Sequence, residues 1–262
     1  ACTVNEEHGF TGASELARGW STGSSRLVPR PPDAVIVAEP TSLDVVVCHK
    51  GVVRWRCDAL GRAAHSACPS QGDNAIYHMG HAVVAFEQYA SELARRAPHA
   101  RVGVPTISVG TIRGGICVNA VPDFCSIEID RRLLPHEEPE QARAEAMRWL
   151  AAHVPQPDRF RHEQPFLVSP ALPDQADTAL ARRLAETARA RGCRGHLVGV
   201  PFGTDAPAFA ALGAPTVVFG PGSIEQAHTA AEWVPLDQLH AATEIFWSLA
   251  KDFESMPGRA CA

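Results

Sequence analysis

Four stretches of this 262-residue chain gather side chains able to do chemistry. The first is Asn5-Glu6-Glu7-His8-Gly9, directly after a short apolar run. Two adjacent carboxylates at a strand end point in different directions, so one can bind a metal ion while the other faces a water. The second is Glu39-Pro40-Thr41, which follows the apolar run Ala34 to Ala38. A carboxylate at the C-terminal end of a buried parallel strand stands where open α/β sheets place ligands. The third is the glycine-rich loop from Gly220 to His228, ending in the commonest metal-binding side chain. It lacks the Gly-Lys-Ser/Thr of a phosphate loop. The fourth is Gly61-Arg62-Ala63-Ala64-His65-Ser66, followed by Gly72-Asp73-Asn74. Taken alone, each also has an ordinary reading: an acidic turn, a strand-ending glutamate, a surface loop, and a hairpin end leading to a capped helix.

The elements that must position these residues alternate along the chain. Ala34 to Ala38, Leu43 to His49 and Val52 to Leu60 read as strands, with Lys50-Gly51 as a turn between the last two. A helix is expected from Asn74, its N-cap, to about Arg96, with Ile76, Met79, Val83, Val84, Phe86 and Leu93 at helical spacing. Strands at Thr106 to Ile112 and Phe124 to Leu134 and a helix at Glu137 to His153 complete a split β-α-β unit. A Pro-rich, charged stretch from Pro155 to Pro170 reads as a return linker. Helix Gln175 to Arg191, strand His196 to Val200, helix Ala206 to Leu212, strand Pro215 to Phe219 and helix Leu236 to Phe253 then alternate in the α/β manner. Residues 1–44 and 156–262 therefore form an α/β domain, and 45–155 an inserted α+β, ferredoxin-like unit. The first piece offers one clear strand and a second ending near Asn5. More of its sheet is expected upstream of Ala1.

Composition sets the class. Hydrophobic residues are 45% and charged residues 20%, which suits a globular chain and excludes global disorder. No apolar run reaches the ~18 residues that span a bilayer, so no membrane partner is expected. A net charge of −5 and a pI near 6.2 argue against nucleic acid. Eight cysteines without a C-x-x-C pair, several inside apolar runs, read as reduced thiols of a cytoplasmic protein.

Taken in order, the stretches NEEHGFTGA, VAEPTSLDVVVCHKG, GRAAHSACPSQGDNAI, TIRGGICVNAVPD, IDRRLLP, FGTDAPAF and GPGSIEQAH resemble the di-zinc aminoacylase and exopeptidase family. That family includes acetylornithine deacetylase, succinyl-diaminopimelate desuccinylase and glutamate carboxypeptidase. EPTSL, HKG and GPGSI-x-QAH look most like the acetylornithine deacetylase branch. The resemblance implies part of a zinc-peptidase-like catalytic domain with an inserted lid and dimerisation domain. It implies Glu6 as general base, Glu7 and His228 as ligands of one zinc, and Glu39 as a ligand of the other. It implies His65 as a lid histidine that polarises the substrate carbonyl in a neighbouring subunit's site. Asn119 and Arg132 would hold substrate, Arg132 by its carboxylate, and Gly203-Thr204 would line the pocket. The substrate would be an N-acyl amino acid or short peptide, the metal zinc (cobalt or manganese also suit), and the assembly a homodimer.

Two departures from the family pattern matter. Position 5 is Asn where the family has Asp. The upstream His-x-Asp motif and bridging Asp are absent, and neither H-x-D nor H-E-x-x-H occurs in the chain. Catalytic zinc takes three protein ligands. The expectation is a fragment with a weak metal site and little hydrolytic activity alone. The competing reading is a non-catalytic relative that dimerises or binds a small ligand. A serine or cysteine hydrolase is set aside, because no G-x-S-x-G elbow is read.

Overall fold

The structure, a computed structural model, describes residues 1–6, 9–25 and 30–253. Helix α1 (Thr11–Ser21) precedes strands β1 (Val35–Val37), β2 (Val45–His49), β3 (Gly51–Leu60) and β4 (Ala64–His65). Helix α2 (Ala75–Leu93), strands β5 (Thr106–Gly114), β6 (Ala120–Val121) and β7 (Phe124–Leu133), and helix α3 (Pro139–His153) follow. Strands β8 (Phe160–His162) and β9 (Leu167–Ser169), helix α4 (Ala179–Ala190) and strand β10 (Leu197–Val200) come next. Helix α5 (Ala206–Ala210), strand β11 (Thr216–Val218) and helix α6 (Leu236–Asp252) close the order. Two units result: Ala1–Lys50 with Ala171–Ala262, and Gly51–Pro170.

The second unit is organised on β7. Its side chains alternate, sending Cys125, Ile127, Ile129, Arg131 and Leu133 inward. It pairs antiparallel with β3 from Gly51↔Leu133 to Leu60↔Phe124, and with β5 on its other side. β8 and β9 both pair with β3. Trp55, Met79, Phe86, Tyr89, Ile127 and Leu150 fill the core under α2 and α3. Asn74 caps α2 as expected, its side chain accepting from the Ile76 and Tyr77 amides at 3.0 and 3.2 Å.

The first unit is a four-stranded mixed sheet in the order β1-β11-β2-β10. β1 runs parallel to β11, and β10 parallel to β2. β11 meets β2 antiparallel at Val218↔Val46. Leu180, Leu184, Ala188, Ile245 and Leu249 of α4 and α6 cover one face. Thr178 caps α4 through the Ala181 amide.

Five sequence expectations change. Lys50-Gly51 is not a hairpin turn, because β2 and β3 lie in different sheets. Val45 to His49 are all buried, as in a sheet covered on both faces, so β2 belongs with the first unit rather than with an insert beginning at 45. The stretch read as a return linker contains β8 and β9, which carry the second unit to Pro170. β1 is a half-buried edge strand rather than a buried one. Among the described residues no strand ends near Asn5, which has φ 62°, and the amides of Phe10 and Gly12 donate back to Asn5 O and Val4 O. Among the described residues no helix is long and apolar enough to cross a membrane.

Candidate active-site residues

Glu39 and the loop toward His228 leave neighbouring parallel strands at the same end. Glu39 stands two residues beyond β1, and Gly220 two beyond β11. Hydrogen bonds stitch the two loops together. The Thr41 and Leu43 amides donate to Gly220 O at 3.3 and 3.1 Å, and the Ser42 amide donates to Gly222 O at 2.6 Å. The Gly220 amide donates to Thr41 Oγ1 at 3.1 Å. A β-carbon at Gly220 would stand 2.6 Å from Glu39 O, so only glycine permits this approach. A cavity of about 360 Å³ opens beside the stitch, lined by Pro40, Ser223, Gln226, Glu232, Trp233 and Val234 among others. His228 lies at the far end of the loop, exposed, with φ 60°. A left-handed non-glycine residue costs about 1–2 kcal/mol, and such conformations concentrate at functional sites.

Gly203 and Thr204 sit elsewhere in the same unit, beside the His49 end of β2. Thr204 is 1% exposed. His49 Nδ1 lies 2.9 Å from Lys50 O, which can only accept, so Nδ1 carries the proton. Nε2 then accepts from the Thr204 hydroxyl at 3.1 Å, and Thr204 Oγ1 accepts from the Ala206 amide. The Thr204 side chain is therefore fully engaged in the fold, and Gly203 is the half-exposed member of the pair. Glu6 lies on the segment that packs against this loop. The Thr3 hydroxyl donates to Asp205 Oδ2 at 2.5 Å, and the Phe10 ring lies over Gly203, 3.7 Å from where a β-carbon would stand. Glu7, read as a zinc ligand, lies outside the described residues.

His65 and Asn119 are neighbours at one end of the second unit. His65 pairs with Ala120 across β4 and β6, and the Ser66 amide donates to Asn119 O at 3.0 Å. His65 Nδ1 accepts from the Ala67 amide at 3.1 Å, which leaves Nε2 as the protonated nitrogen of the neutral ring. The ring is exposed and presents a donor. Arg132 is far from this pair. It stands opposite Val52, and Leu60 at the other end of β3 is about 26 Å away at the usual rise per residue. Its Nε donates to Asp130 Oδ1 at 2.7 Å, which aims the guanidinium. Asp130 Oδ2 holds Arg54.

Three features escaped sequence reasoning. Gly19-Trp20-Ser21-Thr22-Gly23 does spell G-x-S-x-G. Ser21 is nevertheless the last residue of α1, and its hydroxyl donates to Ala17 O, so no nucleophile elbow forms. Buried Cys57 and half-buried His162 form a pair at 4.0 Å. Burial pushes the Cys57 thiol up to about 12, and Trp55 Nε1–H donates to His162 Nδ1, so this histidine does not activate the thiol. Arg131, one position before Arg132, is fully buried against Glu137. No motif marks these last two arrangements.

His49 and His162 are both held down to about 4 by burial, with Arg143 adding to the effect at His162. The ordinary value is 6.5. Below pH 6.5 the unfolded chain binds protons that the folded chain cannot take up until about pH 4, so acid destabilises the fold. The expected penalty is about 3 kcal/mol per histidine at pH 4. Urea unfolding between pH 7 and 4.5 checks this. His162→Gln, which keeps an acceptor for Trp55, is expected to flatten the pH dependence of the second unit.

Residues 47–158 match the peptidase dimerisation domain family. An acetylornithine deacetylase of Myxococcus xanthus is 33% identical over 246 residues, covering 90% of this chain and 60% of that protein. One of Edwardsiella ictaluri is 31% identical, covering 96% and 63%. An aminopeptidase structure from Bacillus cereus superposes with a TM-score of 0.72 at 20% identity, covering 96% and 63%. A tripeptidase structure from Staphylococcus aureus gives 0.73 at 21%, covering 95% and 62%. The chain thus spans about three-fifths of the length of these relatives.

Proposed function

We propose that the chain belongs to the metallopeptidase and deacetylase family that shares the peptidase dimerisation domain, and that it is part of a metal-dependent amidohydrolase. Its substrates are N-acyl amino acids or short peptides, of the kind that acetylornithine deacetylases are named for. The observation that carries the reading is the stitch between the Glu39 loop and the loop bearing His228. It anchors a carboxylate and an imidazole on adjoining loops at the C-terminal ends of β1 and β11.

The donor set fits zinc in kind, since carboxylate oxygen and imidazole nitrogen are its usual partners; cobalt and manganese accept the same atoms. It falls short in number. Among the described residues no group of three close donors includes Glu39 or His228. No catalytic step is therefore routed through a metal. The two-zinc centre of the complete family pattern is proposed, with Glu7 as a further ligand. Glu6 is the proton carrier that would take a proton from water and return it to the leaving amine. His65 Nε2–H is a donor for the developing oxyanion, and Arg132 binds the free carboxylate.

Residues 1–50 with 171–262 are assigned as the catalytic part, and 51–170 as the lid and dimerisation part. His65 and Asn119 stand too far from Arg132 for one small substrate to touch all three within one subunit. That separation supports a homodimer in which they serve the partner's site. The edge strand β5 and the outer face of α2 expose Ile112, Ile76, Tyr77 and Val84, a surface suited to a second copy. The buried cysteines Cys48, Cys57 and Cys125 stand outside any disulfide, which suits the cytoplasm.

Zinc titration into the metal-free chain is the test. Weak binding is expected, lowered further by Glu39→Gln and by His228→Ala, with little hydrolysis of N-acetyl amino acids by the chain alone. Zinc held unchanged in both variants would remove these residues from the metal site. The short donor set also favours a second reading, a dimerising or small-ligand-binding relative. Ligand binding without any zinc dependence would support that reading instead.

A further inference from the structure

We propose that Asp205 is a positioning residue that holds the Glu6 loop in place from below, through Thr3. The inference rests on the reading of Glu6 as the proton carrier. Asp205 follows Thr204 at the start of α5 and is 4% exposed. Its Oδ2 accepts from the Thr3 hydroxyl at 2.5 Å. Its Oδ1 is buried with no hydrogen-bond partner among the described residues. A carboxylate so placed is costly to the fold, and Thr3 supplies the one hydrogen bond to it that the described residues show.

Residues 1–6 contain no helix or strand. Local closure and this anchor both act on them. Phe10 N donates to Asn5 O at 2.9 Å, Gly12 N to Val4 O at 3.1 Å, and Asn5 Nδ2 to Thr11 Oγ1 at 3.0 Å. These bonds give the loop a shape without fixing it to the sheet. Thr3, three residues before Glu6, and Phe10, four after, both rest on residues 203–205. That seat is itself locked from beneath by His49 through Thr204. Asn5 stands where the family pattern has Asp, and its bond to Thr11 belongs to the closure, while the bond from Thr3 to Asp205 reaches across to residues 203–205.

Amide hydrogen exchange on the full chain tests the tether without requiring metal or turnover. Thr3 is half-exposed, so Thr3→Val removes the donor at nearly constant shape. Exchange at Phe10 and Gly12 is expected to rise about tenfold or more in Thr3→Val and in Asp205→Ala, while amides of β2 and β11 keep their protection. Thr3→Ser is expected to restore the native rates. Unchanged exchange in Thr3→Val would overturn the proposal. So would a rise shared equally by β2 and β11, which would mean a general loss of stability, and so would failure of Thr3→Ser to rescue. The functional reading fails separately. A confirmed tether in a chain whose zinc binding ignores Glu39 and His228 would leave the tether standing and the hydrolase assignment withdrawn.

Discussion

Glu137→Ala is expected to destabilise the second unit by about 3–5 kcal/mol, because it strands a buried charge. Arg131 is wholly enclosed, with Nη2 donating to Glu137 Oε1 at 2.6 Å and Nη1 to Arg132 O. Glu137 Oε2 also accepts from the Leu134 amide at 2.7 Å, which fixes the bend after β7. Among the described residues Arg131 Nε has no hydrogen-bond partner, so Glu137 is the carboxylate that holds this guanidinium. Urea unfolding followed by fluorescence and circular dichroism measures the loss. The pairing account makes a second demand. Adding Arg131→Met to Glu137→Ala should recover most of the stability, since an apolar side chain of similar length leaves no charge to compensate. A double variant as unstable as the single one would show that the backbone contacts of Glu137 matter more than the ion pair.

Gly220→Ala is expected to separate Glu39 from the loop that carries His228. The added β-carbon would press on Glu39 O, a backbone atom that cannot rotate away. The stability cost is expected to be about 1–3 kcal/mol, the usual range for overpacking. The loss of zinc binding should match that of Glu39→Gln, although no donor is removed. Gly80→Ala is the contrasting control. It lies within α2 with open space around the new atom, so it should stabilise by about 0.5–1 kcal/mol and leave zinc binding alone. Zinc affinity unchanged in Gly220→Ala would mean that the stitch does not set the geometry of the two donors.

The sequence made some elements plain and concealed others for physical reasons. α2 was legible because Asn74 is a strong cap and its apolar positions recur at helical spacing. β7 was legible because burial alternates along it. α1 was not, because its N-cap Phe10 makes no side-chain cap and its buried residues are two alanines. β8 and β9 are three residues each, too short for periodicity to register. The candidate site was legible as motifs but not as geometry. Motif order could name Glu7 with His228 for one zinc and Glu39 for the other, yet it could not foresee that Thr204 is consumed by His49. It could not place Asp205 under Thr3 either, since 202 positions separate them.

Val52 pairs with Ser169 inside the second unit, and His49 bridges Leu172 inside the first. The chain therefore enters and leaves residues 51–170 on adjacent strands. Such a segment is a cassette: its two ends are neighbours, so a loop of a few residues could close the gap left by its removal at little entropic cost. Each side would keep its own core. One genetic insertion or deletion could add or discard the whole unit, and the same geometry makes the junction a natural place to graft a different one.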